Sequence, residues 1–350
     1  MNLKDFLSRY VYVNTESRLF NETFGGIHLG TYYVIAAPPK AGKTTFIDSL
    51  FVVPYLYKFV ETPKRIRFIY FNLELDNSIK LVNLALAYVN RKLKTDYTFP
   101  DLLRIYSNDI RSEEEEDLLK KIDKALDWLA KKIESGVLIL RDRIELSELR
   151  QLCIEEFESN PDAHHIVIID HMRRVDVPYF DGMKSKVDAL SSEIVSLRNK
   201  YSQTFVGVIH TNRNFSFRNL GKNSMPIPLP EDIKDTGNLS EDADYVFTYS
   251  NPHAFKLAKP DLTVEGIHVD SLPENVRYIA LVESRYSESP KYMLTCIDNT
   301  KLMVLNGLEG TNVNGSSSNE QSKATYHVSQ NGSFGYVIEE VPDNFWPGEN

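Results

Sequence analysis

Residues 36–50 read AAPPKAGKTTFIDSL, and the fold turns on whether they form a phosphate cradle or a plain turn between a strand and a helix. Ala37, four intervening residues and then Gly42-Lys43-Thr44 keep the spacing of a phosphate-binding loop, with Ala in place of the usual first Gly. Ahead of the loop, TYYVIAA (31–37) is the β-branched and aromatic run of a buried strand. Behind it, Phe46, Ile47, Leu50 and Phe51 recur at helical spacing. Strand, small-residue loop and helix together favour the cradle. The residues expected around the phosphates are Ala37, Pro38, Pro39, Lys40, Ala41, Gly42, Lys43, Thr44 and Thr45. Backbone N–H groups at the helix start point at a polyphosphate, Lys43 reaches its outer phosphates, and the Thr44 hydroxyl ligates Mg²⁺. Ala37 is a small departure, because that position needs smallness more than a positive φ.

Working outward, 350 residues with 42% hydrophobic and 25% charged content describe a soluble globular chain of one large domain or two ordinary ones. No run approaches a membrane span, and the N-terminus MNLKDFLSRY lacks the apolar stretch of a signal peptide. Cys153 and Cys296 lie in apolar surroundings and read as buried reduced thiols, not as a disulfide or metal framework. A net charge of −9 is unlike a bulk nucleic-acid binder, although it leaves room for a local basic strip.

Along the chain, strand and helix patterns alternate. RIRFIYFNLEL reads as a strand leading to Glu74, and NSIKLVNLALAYVN as a helix. SEEEEDLLKKIDKALDWLAKKIESG opens on a Ser112/Glu115 capping box and stops at Gly136, its charges forming a solvated face. VLILRD is a strand, LSELRQLCIEEFES a helix, HHIVIIDHM a strand ending on Asp170, VDALSSEIVSLRNKYS a helix, and TFVGVIHTNRN a strand ending on His210. This β-α alternation predicts an α/β fold with a mostly parallel sheet covered by helices. DYVFTYS, VRYIALVESR, KYMLTCIDN and KLMVL then finish the sheet, the last ones antiparallel. Leu3, Phe6, Leu7, Tyr10 and Val11 suggest an N-terminal amphipathic helix within residues 1–16. Residues 307–325 read as a flexible linker, and 326–350 as a hairpin around Asn331-Gly332 followed by an acidic aromatic tail.

Ligands of open α/β sheets bind beyond the carboxyl ends of the strands. The loop, Glu74, Asp170 and His210 all fall there. Asp170 suits Mg²⁺ held through water, Glu74 a general base for water, and His210 a hydrogen bond to the γ-phosphate. Taken singly, an Asp such as Asp170 at a strand end is more often a helix cap or turn former, and a His such as His210 is often a structural residue; their order after the loop joins them.

Residues 17–306 resemble the RecA-like ATPase domain of the DnaB family of replicative ring helicases. SRLFNETFGGIHLGTYYVIAAPPKAGKTTF is similar to the opening of that domain, FIYFNLEL to its catalytic-glutamate strand, IVIIDHMRRV to its Walker B strand, and VGVIHTNRN to its sensor strand. EDIKDTGNLSEDADYVFTY resembles a block that generic RecA-like ATPases lack. In LVESRY, Arg285 matches an arginine that reaches a neighbouring subunit's nucleotide, while Glu283 replaces its usual lysine partner; an exposed strand arginine is the alternative. The resemblance implies an NTP-hydrolysing enzyme of DNA replication, using ATP or another NTP with Mg²⁺. Its partners would be single-stranded DNA, further copies of itself in a hexameric ring, and a primase, loader or single-strand-binding protein, with no membrane. The setting would be the cytoplasm of a bacterial or virus-infected bacterial cell.

Arg213, Arg218 and Lys222, with Phe215 and Phe217 between them, are expected to meet the DNA backbone and bases. Arg173, Arg174, Lys184 and Lys186 after Walker B form a second candidate set, and a solvated loop is the competing account for each. The resemblance also implies a collar domain for which these residues leave no room, so the N-terminal helix is expected to dock on the next subunit instead. Two other functions stay open: a recombinase-like or loader-like ATP-dependent filament protein, and a degenerate structural or regulatory ATPase.

Overall fold

The computed structural model describes residues 11–212, 215, 224–233, 238–255 and 261–308. The chain opens with β1 (Val11–Val13), α1 (Arg18–Phe24), β2 (Ile27–Leu29), β3 (Tyr32–Ala37) and α2 (Lys43–Ile47). After α2 the helix widens over Asp48–Val52, where Val53 N–H reaches back to Asp48 O, and ends as α3 (Val53–Leu56). Pro54 has no N–H to continue a regular ladder, which accounts for the widened turn. Then come β4 (Arg65–Asn72), α4 (Asn77–Leu93), α5 (Phe99–Ser107), α6 (Glu113–Glu134), β5 (Leu138–Arg141), α7 (Leu146–Ser159), β6 (Ala163–Asp170), α8 (Met183–Tyr201) and β7 (Thr204–His210). The last part holds α9 (Leu239–Asp242), β8 (Tyr245–Ser250), a small β9/β10 ladder (Thr263–Val264, Ile267–His268), β11 (Val276–Ser284), β12 (Lys291–Asp298) and β13 (Met303–Val304).

A nine-stranded sheet runs β13-β12-β11-β8-β3-β7-β6-β4-β5, parallel from β8 to β5 and antiparallel at the β11–β13 end. This is the expected α/β architecture. β3 shows why its sequence is an unbroken apolar run. Tyr33, Ile35 and Ala37 enter the core beneath α2–α6, whereas Tyr32, Val34 and Ala36 enter the core beneath α7 and α8. Both faces are covered, so neither alternates with polar residues. The Ser112/Glu115 capping box forms at the start of α6, and Gly136 takes φ +65° after its end. Cys153 and Cys296 are free and buried.

Two expectations change. Val11 belongs to β1, which pairs with β2 in the register Val11↔Leu29 and Val13↔Ile27, so helix does not extend to Val11. Stacking of Tyr12 on His28, with centroids 4.3 Å apart, adds a contact that a helix would forgo. At the other end, the Gly307 carbonyl accepts Cys296 N–H at 3.0 Å, so the fold continues past 306. The remainder of the N-terminal helix, most of the linker, and the hairpin and tail lie outside the described residues.

Candidate functional site

The sheet's register assembles the site. Ala37 pairs with His210 across β3 and β7, and Asn72 with Asp170 across β4 and β6. Leu73 N–H then donates to Asp170 O at 2.7 Å, which carries Glu74 to the same edge. Glu74, Asp170, His210 and the phosphate loop are brought together, as the strand ends implied.

The loop has the backbone of an anion cradle. Lys40 adopts φ +62° and Gly42 φ +94°. A Cβ on Gly42 would meet nothing closer than 3.5 Å, so it is the left-handed backbone and not crowding that selects glycine here. Ala37 keeps ordinary strand geometry, consistent with smallness being its requirement. Lys43 is 6% exposed. Its Nζ donates to Pro38 O at 3.2 Å and to His210 Nδ1 at 3.0 Å. Burial lowers the Lys43 pKa, against the pull of Glu74 and Asp170. His210 Nε2 faces Glu74 Oε1 at 3.7 Å. That contact, opposed by partial burial and aided by the neighbouring His171 and Lys43, holds the Glu74 carboxyl below its ordinary range.

Thr44 Oγ1 donates to Asp170 Oδ2 at 2.6 Å. Asp170 is buried, and its Oδ1 has no hydrogen-bond partner among the described residues. A hydroxyl and a carboxylate with one spare oxygen at the foot of a phosphate cradle are the hard oxygen donors that Mg²⁺ takes, so the residues fit that ion.

Beneath this surface lies a group absent from the sequence reading. Asp48, one turn along from Thr44, accepts Lys80 Nζ at 2.6 and 2.5 Å, and that ammonium sits 3.9 Å from the centre of the Tyr70 ring. Asp48 and Lys80 are both buried. Arg277 on β11 was also missed. It lies under the loop, with Nη2 4.0 Å from the position of a Cβ on Gly42, and its Nε is without a partner among the described residues. His171, directly after Asp170, packs its ring against that of His210, the two tilted by 39° with centroids 4.2 Å apart.

Arg285 is elsewhere. β11 runs antiparallel to β8 with Ser284 opposite Tyr245, which places Arg285 at the amino end of β3. The six residues of β3, at about 3.3 Å each, put it on the order of 17–20 Å from its own loop. There Arg285 donates to the Glu241 carbonyl and lies 3.8 Å from Asp244 Oδ1. Glu283 sits among Ser240, Glu241 and Glu231, and burial with these acids raises its pKa.

Of the expected DNA contacts, Arg213, Arg218 and Lys222 lie outside the described residues, as does Phe217. Phe215 is 3% exposed and packs edge-on against Phe255, so it is a core residue and not a free stacking platform. Arg174 and Lys184 are exposed, Arg173 and Lys186 half-buried, and Tyr179 and Phe180 stand exposed between them.

The model of the DnaB-like helicase C-terminal domain matches residues 13–269. The chain belongs to that family. In fold it is similar to a DnaB-like replicative helicase whose interactions with primase have been described, at TM-score 0.62 and 14% identity over 86% of this chain and 64% of that one. It is also similar to a second solved structure, that of an ATPase domain, at TM-score 0.60 and 14% identity over 87% of this chain and 95% of that one. At such identity the likeness is one of fold, and the chain spans 64% of the first helicase's length. No curated protein matches in sequence. The strand-end cluster lies within the residues that the family model matches. No helix among the described residues is long and apolar enough to cross a membrane.

Proposed function

We propose that this chain is an ATP-driven replicative motor that moves along single-stranded DNA as a hexameric ring, hydrolysing each nucleotide where two subunits meet. The observation that carries it is the convergence of Lys43, Thr44, Glu74, Asp170 and His210 at one strand edge, while Arg285 stands at the other. An arginine so far from its own loop cannot serve its own nucleotide; a neighbour's nucleotide is the role proposed for it, and an exposed strand arginine is the alternative.

Lys43 meets His210, and His210 meets Glu74. A γ-phosphate offers the Lys43 ammonium and the His210 ring N–H a better partner. Lys43 turns to it, His210 follows, and Glu74 is released from His210. The carboxylate then serves as base for the attacking water, a contribution of about 10²–10⁴-fold. Thr44 and Asp170 would hold Mg²⁺, which neutralises charge on the phosphate oxygens when bound. Arg285 of the adjacent subunit would add about 10³–10⁵-fold by meeting charge on the departing phosphoryl group. Arg174, Lys184, Tyr179 and Phe180 offer the combination of backbone neutralisation and stacking that suits single strands.

DNA-stimulated ATP hydrolysis and strand displacement, compared across wild type, Lys43→Ala, Glu74→Gln and Arg285→Ala, tests this. Displacement lost in all three variants is the expected result. Hydrolysis without displacement, on filaments seen by electron microscopy, would favour the recombinase-like alternative. No hydrolysis by the wild type would leave a degenerate ATPase.

A further inference from the structure

One ligand atom from each of Glu74, His171 and His210 lies within 4.8 Å of the other two. Such a triad invites a divalent metal, which would take ring lone pairs at about 2.0–2.1 Å. The hydrogen bonds behind the rings oppose that. His210 Nδ1 receives Lys43 Nζ at 3.0 Å, and His171 Nδ1 receives the Arg173 backbone N–H at 3.2 Å. An ammonium and an amide N–H only donate, so both Nδ1 atoms are acceptors. In a neutral imidazole the proton then resides on Nε2. The triad is therefore two N–H donors beside one carboxylate.

The donors differ in employment. That of His210 faces Glu74. That of His171 is buried, in a residue 1% exposed, and has no partner among the described residues. A buried donor left unpaired is unfavourable, and the ring that carries it has a nitrogen within 4.8 Å of the Glu74 carboxylate, whose present partner the γ-phosphate will remove.

We propose that His171 is a positioning residue for hydrolysis: when His210 turns to the γ-phosphate, the His171 Nε2–H takes over the Glu74 carboxylate and keeps it aimed at the attacking water. This rests on Glu74 being the base. The test is steady-state ATP hydrolysis over a pH range with His171→Phe, which keeps a ring against His210 but has no N–H, and His171→Gln, which restores a donor. His171→Phe should lower kcat by about 10- to 100-fold, the scale of a misaimed catalytic group, with the KM for ATP within about twofold. Its acid limb should move to higher pH, because a carboxylate that loses a donor protonates more easily. His171→Gln should recover part of the rate and return the limb toward wild type. ¹⁵N-histidine spectra of the nucleotide-free wild type should show His171 protonated at Nε2.

Protonation at Nδ1, or a His171→Phe enzyme with wild-type kcat and an unmoved limb, overturns the proposal. Zn²⁺ binding to the wild type that both variants abolish overturns it too, in favour of the metal. If His171→Phe does not fold, the limb of His171→Gln and the wild-type spectrum decide. Glu74→Gln separates the premises: if it hydrolyses normally, the base assignment fails, whereas a dead Glu74→Gln beside an unaffected His171→Phe condemns only the role of His171.

Discussion

The two ends of the central sheet use charge in opposite ways. At the amino end, Asp244 Oδ2 accepts Tyr32 N–H at 2.8 Å and Arg198 Nη1 at 2.5 Å, and Arg285 N–H donates to the Asp244 carbonyl at 3.0 Å. Both Asp244 and Arg198 are buried, and the group ties β3, α8, β8 and β11 together. At the carboxyl end, Asp170 Oδ1 and His171 Nε2 go unpaired among the described residues, and Glu74 stays part-exposed opposite a histidine 3.7 Å away. At the amino end the buried Asp244 is matched by a buried guanidinium, although its Oδ1 has no hydrogen bond among the described residues. At the carboxyl end the unpaired groups lie on the edge where ligands of open α/β sheets bind, and there a ligand can recruit them.

That contrast is open to direct attack. Glu74→Gln should lower kcat for ATP by about 10²–10⁴-fold. Its urea midpoint should stay close to wild type, because Glu74 is on the surface and carries little of the fold. Asp244→Asn should do the reverse. It leaves the buried Arg198 guanidinium without its counter-charge, and breaking such a pair costs about 3–5 kcal/mol. Urea unfolding measures the second effect. Equal stability losses from the two variants would erase the distinction between the ends.

The Asp48–Lys80 pair sharpens it, since it is a closed pair set directly under the open site. Lys80→Met should cost about 3–5 kcal/mol by stranding the Asp48 carboxylate. Asp48→Leu combined with Lys80→Met removes both charges and should recover most of that loss, because a buried pair is often no better than apolar residues of similar size. A double variant as unstable as the single in urea would mean that Lys80 holds more than Asp48.

What could be foreseen follows the range of the physics. The β-α alternation was legible because a strand buried on both faces and a helix buried on one leave their periods in consecutive residues. The strand, loop and helix of residues 36–50 were legible for the same reason, their pattern being confined to a short run of neighbours. Glu74, Asp170 and His210 needed only the rule that ligands bind at carboxyl ends. Asp48 and Lys80 were not legible. They stand 32 positions apart, and each alone reads as a polar helix residue with no sign that it is buried. Arg277 looked like any strand arginine, and only its packing under Gly42 gives it significance. Phe215 failed the other way. Its place among cations suggested a surface platform, whereas Phe255, far along the chain, buries it.

The smallest effect concerns protons at the amino end. His164, near the start of β6, lies 2.8 Å from Thr204 Oγ1, and burial lowers its pKa to about 3; the adjoining His165 is lowered to about 4 in the same way. Unfolded, each ring titrates near its ordinary 6.5. Between the two values the unfolded chain holds protons that the native chain refuses. Stability is therefore intact above pH 6.5 and declines as the pH falls toward 4. Each ring contributes about 1.4 kcal/mol per pH unit. His164→Gln keeps a polar partner for Thr204 and deletes one of the titrations. Urea midpoints measured at about pH 7.5, 6.0 and 5.0 should fall less steeply for the variant on the acid side of the ordinary histidine pKa, and in parallel with wild type above it. Curves parallel throughout would mean that water reaches His164, and that the amino end is not as dry as the burial of its two histidines implies.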